Sequence, residues 1–339
     1  MLKFVGDISL TDGYFDVGFG VGSKIEQGFN PFQYIHRNAE DYWIGNFEGV
    51  ASETSEKKGN AALQFRVNPE YLSQLKHFDV YGIANNHAMQ HGATAYQRTF
   101  DYLSSRGCLC FGSNAKKTQI FEHQGRKVSI TGFSQRIDAF SQEPCYWHNP
   151  EYKEIEQEIQ QLPEDSINIV FVHWGNEFIN RPSSPQKRFA HWLVDTGFDL
   201  VIGMHPHVLQ GYEQYHDKYI FYSLGNFVFD MPWEPTKYGA IVGVDLTEDK
   251  IRPLIEYIRI NNEFAPEPIV EDDVPEEYKF ANLNKRIQIE DNTEQYHAEI
   301  RRCYLQYRKT NRKDIMVKMV THPSIIKNTV KDFINRRLS

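Results

Sequence analysis

Gly203-Met204-His205-Pro206-His207-Val208-Leu209-Gln210-Gly211 is the stretch on which the reading of this chain turns. It follows Leu200-Val201-Ile202, an apolar run of the length and type of a buried strand. Pro206 fixes its own φ and pushes His205 toward extended backbone, so the pair does not belong to a helix. An extended His-x-His at a strand end turns two imidazoles outward from a rigid loop, and neutral imidazole is a common metal ligand. Taken alone, the motif also reads as two solvent-exposed loop histidines. The rest of the chain decides between these.

Outward from this loop, residues 2–5, 42–45, 80–84, 167–172 and 219–224 read as further strands. Helices are expected from Asn68-Pro69 to about residue 77, over 94–105, from Asn149-Pro150 to about 162, and from Ser184-Pro185 to Gly197. Residues 9–30, with five glycines, read as a long loop; the run Gly18-x-Gly20-x-Gly22 lacks the spacing of a dinucleotide fingerprint. Strands alternating with helices imply an α/β architecture with both sheet faces covered. Asp7, Glu48, Asn86, His87, His173, His205 and His207 all fall just past the carboxyl ends of expected strands. Ligand sites of open α/β sheets collect there, so five strands are expected to deliver metal-competent side chains to one site.

The 339 residues suffice for one large domain with an extension, and 40% hydrophobic content supplies a core. A formal net charge of −8 argues against nucleic acid as the partner. Cys108, Cys110, Cys145 and Cys303 are too few for a disulfide scaffold, and no CxxC occurs. The first residues already read as a strand, with no basic start and apolar run of a signal peptide and no span of about 18 apolar residues. A cytoplasmic location is the expectation. There is no Ser/His/Asp nucleophile motif and no phosphate-cradling P-loop.

Gly6-Asp7, Asn46-Phe47-Glu48, Ala84-Asn85-Asn86-His87, His173-Trp174-Gly175-Asn176-Glu177-Phe178, the His-Pro-His loop and Tyr222-Ser223-Leu224-Gly225-Asn226-Phe227 occur in an order that resembles the CapA-type proteins of poly-gamma-glutamate capsule biosynthesis. That family is assigned to the calcineurin-like metallophosphatase superfamily, and the resemblance covers about residues 1–245. It implies a four-layer αββα sandwich with the site at one end of two sheets. It also implies Asp7 and His207 on a first metal, Glu48 bridging, and Asn86, His173 and His205 on a second. His87 matches the histidine that protonates a leaving group. The usual Asp-x-His start is here Asp7-Ile8-Ser9, so the first metal lacks that motif's histidine and is expected to be the weaker held. The Asp-Tyr-Gly usual after Asn-Asn-His is here Gln90-His91-Gly92.

A carboxylate, imidazole and amide set suits one or two divalent ions such as Mn, Fe, Zn or Co. Two such ions clamp substrate oxygens and generate hydroxide near neutral pH. A nearby acid, Asp7 or Glu177, would help His87 to hold its proton, and Glu177 is therefore a candidate catalytic residue. Arg66 and Arg181 lie in loops near the site segments and read as anion ligands or as surface residues.

Residues 263–278 are acidic, contain three prolines and read as a linker, placing the domain boundary near 260. Residues 301–339 reverse the sign, with eleven Lys/Arg against two Asp. Residues 324–338 carry an amphipathic helical pattern that suits packing on the main domain, or a peripheral contact with an anionic membrane or a synthase. The expectation is a metal-dependent hydrolase, foremost a phosphoesterase of capsule or exopolysaccharide metabolism acting on an anionic small molecule or polymer. Its rivals are a non-catalytic accessory protein that binds an anionic polymer and an amide hydrolase on a poly-glutamyl chain.

Overall fold

The structure is a computed structural model that describes all residues except 14–15, 73–77, 137–142, 248–249, 290–292, 324–325 and 327–339. Two sheets carry the fold. The first contains β1 (Leu2–Ile8), β2 (Tyr42–Phe47), β5 (Val80–Gly82), β6 (Leu109–Phe111), β13 (Asn226–Val228), β14 (Tyr238–Val244), β15 (Leu254–Ile260) and β16 (Pro266–Ile269), in the order β16-β15-β14-β1-β2-β5-β6 with β13 beside β1. The second contains β7 (Thr118–His123), β8 (Arg126–Ser134), β9 (Ser166–His173), β10 (Leu200–Met204), β11 (Tyr212–Tyr215) and β12 (Lys218–Phe221), in the order β11-β12-β10-β9-β8-β7. A small parallel pair, β3 (Val50–Ala51) and β4 (Arg66–Val67), stands apart.

The central strands β1, β2, β5 and β6 are parallel, as are β8, β9, β10 and β12. Strands buried on both faces need near-continuous apolar runs, and Ile167 to Val172 and Leu200 to Ile202 supply them. Phe4, Ile44 and Phe111 of the first sheet meet Ile130, Ile169 and Phe221 of the second in one core. On the outer side of the first sheet, Tyr96 and Leu103 of α3 (Ala93–Ser105) pack with Trp43 and Tyr81. On the outer side of the second, Phe189, Leu193 and Val194 of α5 (Ser184–Thr196) pack with Val170, Val172 and Val201. The result is helix, sheet, sheet, helix: the expected four-layer sandwich.

β1 changes partner halfway. Leu2 to Val5 pair antiparallel with β14, and Asp7 and Ile8 pair parallel with β13. Gly6 sits at the crossing, where a Cβ would lie 1.9 Å from the Gly225 carbonyl oxygen. Only glycine lets the two backbones approach this closely, and Asp7 and Asn226 are thereby placed side by side.

Three expectations need correction. The acidic segment is not an open linker: Pro266–Ile269 forms β16, antiparallel to β15 at the sheet edge. Pro266 and Pro268 are two apart, so their missing N–H groups face the same, unpaired edge, which is where a strand tolerates proline. The body also runs past residue 260, since Phe280 and Leu283 of α6 (Phe280–Ile287) join the inter-sheet core. Within the glycine-rich 9–30 segment a short helix, α1 (Val21–Glu26), forms, and Gly20 presses against Asp12 and Asp230.

The helix opened by Asn68-Pro69 is described only as α2 (Pro69–Leu72), its remainder lying outside the described residues. The helix expected from Asn149-Pro150 is α4 (Tyr152–Ile159). The long helix Thr293–Thr321, here the C-terminal helix, returns to the body. Lys318 pairs with Asp16, and Glu299 with Arg181 and Arg286. The extension is therefore fastened to the sandwich over this length. The amphipathic 324–338 pattern lies outside the described residues, Ile326 excepted. Among the described residues no helix is long and apolar enough to cross a membrane.

Candidate metal centre

The strand ends converge. Asp7, Glu48, His173, His205 and His207 are each at most 2% exposed, and Asn86 is half-buried beside them. One ligand atom each from Asp7, Glu48 and His173 lie within 4.8 Å of one another, and so do atoms from Glu177, His205 and His207. His173 Nε2 is 2.8 Å from Asn86 Oδ1 and 3.1 Å from His205 Nδ1. His207 Nε2 is 3.7 Å and His87 Nε2 is 3.8 Å from Glu48 Oε1.

The His-Pro-His loop reaches this position by a route the sequence did not indicate. His205 is not extended: its φ is +96°, and that of His207 is +58°. Such conformations cost about 1–3 kcal/mol each and persist where surrounding contacts hold them. The His205 backbone N–H donates to Asp7 Oδ2 at 3.1 Å, and His207 Nδ1 lies 2.9 Å from Asn226 Oδ1. Gly203 is required behind them, because a Cβ there would come within 2.1 Å of the Tyr222 carbonyl oxygen.

Several residues that orient the site were not assigned a role from sequence. Asn46 Nδ2 donates to Asp7 Oδ1 at 2.8 Å, and Asn85 Nδ2 donates to Asn46 Oδ1 at 3.2 Å. Gln90 Oε1 is 2.7 Å from His87 Nδ1, and Phe65 stacks on the His87 ring at 3.8 Å and 3°. Their only signal was adjacency, since Asn46, Asn85, Gln90 and Asn226 lie within or beside the motifs already quoted. Arg136, whose Nη1 donates to the Gly175 carbonyl at 2.9 Å, follows no motif at all. It lines a cleft of about 740 Å³ with Gly175 and Asn176. The two arginines that sequence reasoning did single out are tied down: Arg181 by Glu299, and Arg66 by the carbonyls of Ala62 and Ser52.

Burial dominates the electrostatics. It raises Asp7 to about 7 and Glu48 well above the ordinary carboxylate value, Glu48 further because Asp7 and Glu177 lie near. It lowers His87 to about 4 and His207 to about 3, and takes His173 and His205 well below the ordinary imidazole value. The imidazoles are thus held neutral, the form that binds metal. Both Glu48 oxygens and His205 Nε2 are buried with no hydrogen-bond partner among the described residues. Unpaired buried polar atoms are costly, and a cation among them would satisfy all three. The donor set therefore fits a divalent ion. Sequence reasoning left Asp7 or Glu177 as the acid near His87; the carboxylate found beside its Nε2 is Glu48.

The C-terminal helix reaches the rim. Tyr307 stacks on Phe178 at 3.9 Å, and Phe178 lies 6.3 Å from His207 by ring centroids. Phe229 meets the His207 ring edge-on at 4.8 Å.

Carboxylates, imidazoles and an amide are thus gathered at the strand ends of a two-sheet α/β sandwich, as a candidate centre for divalent metal. The sequence profile of the bacterial capsule synthesis protein PGA_cap matches residues 1–231, and the chain belongs to that family. The PGA biosynthesis protein CapA of Bacillus subtilis (strain 168) is 31% identical over 304 residues, covering 84% of this chain and 77% of the relative. The capsule biosynthesis protein CapA of Bacillus anthracis is 31% identical over 301 residues, covering 79% and 69%. A probable polyglutamine synthesis accessory protein of Mycobacterium tuberculosis is 24% identical over 219 residues, covering 58% and 57%.

Proposed function

We propose that this chain is a metal-dependent phosphoesterase that serves capsule or related anionic-polymer biosynthesis. The carrying observation is the buried cluster at the strand ends, in which both oxygens of Glu48 and Nε2 of His205 have no hydrogen-bond partner among the described residues. Asp7, Glu48, Asn86, His173, His205 and His207 would hold one or two divalent ions. Such ions, when bound, supply Lewis acidity and a water with a lowered pKa.

The chain's own groups do the rest. Asn46 and the His205 N–H fix both oxygens of Asp7, and Asn226 fixes the His207 ring. Phe178 and Phe229 screen His207 from water. Gln90 accepts a hydrogen bond from the Nδ1–H of His87, which leaves Nε2 as the atom that takes up a proton from solvent, once the ring is charged, and passes it to a leaving oxygen. Burial keeps that ring neutral near pH 7 until an anionic group lies against it. A second reading, a non-catalytic accessory protein, is favoured by the name of the mycobacterial relative.

The test is a panel of an alkyl phosphodiester, an aryl phosphomonoester and a γ-glutamyl peptide, run on protein loaded with Mn²⁺, Fe²⁺, Zn²⁺ or Co²⁺. Phosphoester turnover is expected, abolished by chelator and lowered about 100-fold or more in His87→Ala with metal retained. Metal bound without turnover of any substrate favours the accessory reading, and turnover of the peptide alone favours amide hydrolysis.

A further inference from the structure

The metal centre as read from sequence is one protein donor short. The position where a histidine would follow Asp7 by two residues holds Ser9, and Ser9 does not face a metal. Its Oγ is 2.8 Å from Thr11 Oγ1, its N–H donates to the Val228 carbonyl at 2.8 Å, and it is wholly buried. A donor is instead supplied from the other sheet. Past the end of β9 the chain turns at Gly175, φ +80°, and again at Phe178, φ +69°. The first turn is held by Arg136 Nη1 on the Gly175 carbonyl and the second by the Phe178 N–H on the Pro206 carbonyl. Between the two lies Glu177, and its neighbour Phe178 is the residue bonded to the loop that carries both histidines.

We propose that Glu177 is a ligand of the metal centre, supplying the protein donor that Ser9 does not. The inference rests on the metal-site reading above. One carboxylate oxygen of Glu177 lies with nitrogens of His205 and His207 inside 4.8 Å. Two ligands of one ion at about 2.0–2.2 Å each stand no more than about 4.4 Å apart, so small side-chain adjustments close this set. His205, 1% exposed, has an Nε2 with no other partner, which marks the set as built for a ligand. Glu177 makes no hydrogen bond or close ion pair with another described residue; Arg136, bonded to the Gly175 carbonyl, acts on it through its charge alone. The six donors of Glu177, His205, His207, Asp7, Glu48 and His173 then fall into two sets of three, each with at least one carboxylate. Without Glu177 its own set is reduced to His205 and His207, and that ion would be labile; with Glu177 both ions are held.

The experiment strips the full chain with chelator and reloads it with Zn²⁺, reading stoichiometry by elemental analysis and affinity by titration calorimetry. Co²⁺ loading reports the ligand field through its visible spectrum. Wild type is expected to take up two ions. Glu177→Gln should bind at least one of them about tenfold or more weakly and change the Co²⁺ spectrum, with the circular dichroism of the metal-free protein unchanged. Glu177→Asp, which keeps the charge on a shorter stem, should fall between them and serves if the Gln variant fails to fold. Wild-type stoichiometry, affinity and spectrum in Glu177→Gln would overturn the ligand role alone, provided His205→Ala loses metal. If His205→Ala also keeps its metal, the metal-site reading falls, and this inference with it.

Discussion

The protein buries two groups of carboxylates, and it treats them differently. Asp12, Asp16 and Asp230, near α1 and the turn after β13, are met by the chain itself. Lys318 of the C-terminal helix pairs with Asp16, the Gly13 N–H donates to Asp230 at 2.7 Å, and Gly18 and Ser23 donate to Asp12. Asp7 and Glu48, at the strand ends, have no Lys or Arg in contact among the described residues, and neither Glu48 oxygen has a hydrogen-bond partner. Buried charge is tolerated when it is paired and hydrogen-bonded. Where the chain needed a carboxylate cluster for architecture, it supplied the cation and donors. At the strand ends the described chain supplies no such cation.

The difference can be broken most directly with metal. At about 1,000 times its dissociation constant, Zn²⁺ or Mn²⁺ should stabilise wild type by about 4 kcal/mol in urea denaturation. Glu48→Gln should lose that gain, and Asp230→Asn should keep it in full. Equal gains in both variants would erase the distinction.

A smaller effect is expected with pH. Burial raises Asp16 to about 6 in spite of Lys318, against 3.8 for the free side chain. The folded protein therefore holds this proton more tightly than the unfolded chain. The stability it contributes is present below pH 3.8 and is lost as pH rises through about 6. Between pH 4 and 7 wild type should lose up to about 3 kcal/mol relative to Asp16→Asn, read as the difference between two stability–pH curves. Parallel curves would remove Asp16 as a buried titrating group.

Lys318→Met should then cost about 2 kcal/mol, the loss from a partly buried pair, and leave metal content untouched. Loss of metal in that variant would tie the two clusters together. Smallest of all, Ser9→Ala should cost about 1 kcal/mol for the unpaired Thr11 hydroxyl and change metal stoichiometry not at all.

The sandwich was legible because its signals are local. Apolar runs such as Leu200-Val201-Ile202 and helix starts such as Ser184-Pro185, whose cap is Ser183, report on their own segments, and the metal-competent residues sit immediately after those runs. His205 and His207 could be placed at a strand end from sequence, but not their left-handed backbone, which the Asp7 carboxylate holds from 198 residues away. The approach of Glu177 to both histidines depends on two turns, at Gly175 and Phe178, that no periodicity encodes. Pro266 and Pro268 read as linker because proline usually breaks a ladder, and only the sheet order shows that their strand is an edge. The docking of the C-terminal helix was the least legible feature. Its basic composition fitted packing on the main domain as well as an anionic surface, and the partner of Lys318 lies 302 residues earlier in the chain.

The central claim is that the strand-end cluster holds divalent metal while the Asp12, Asp16 and Asp230 cluster does not. Crystals of the protein grown with Mn²⁺ or Zn²⁺, measured on both sides of the metal's absorption edge, test it most directly. The account predicts anomalous peaks among Asp7, Glu48, His173, His205 and His207, and none beside Lys318. Metal-saturated crystals with no peak among those five residues would contradict it.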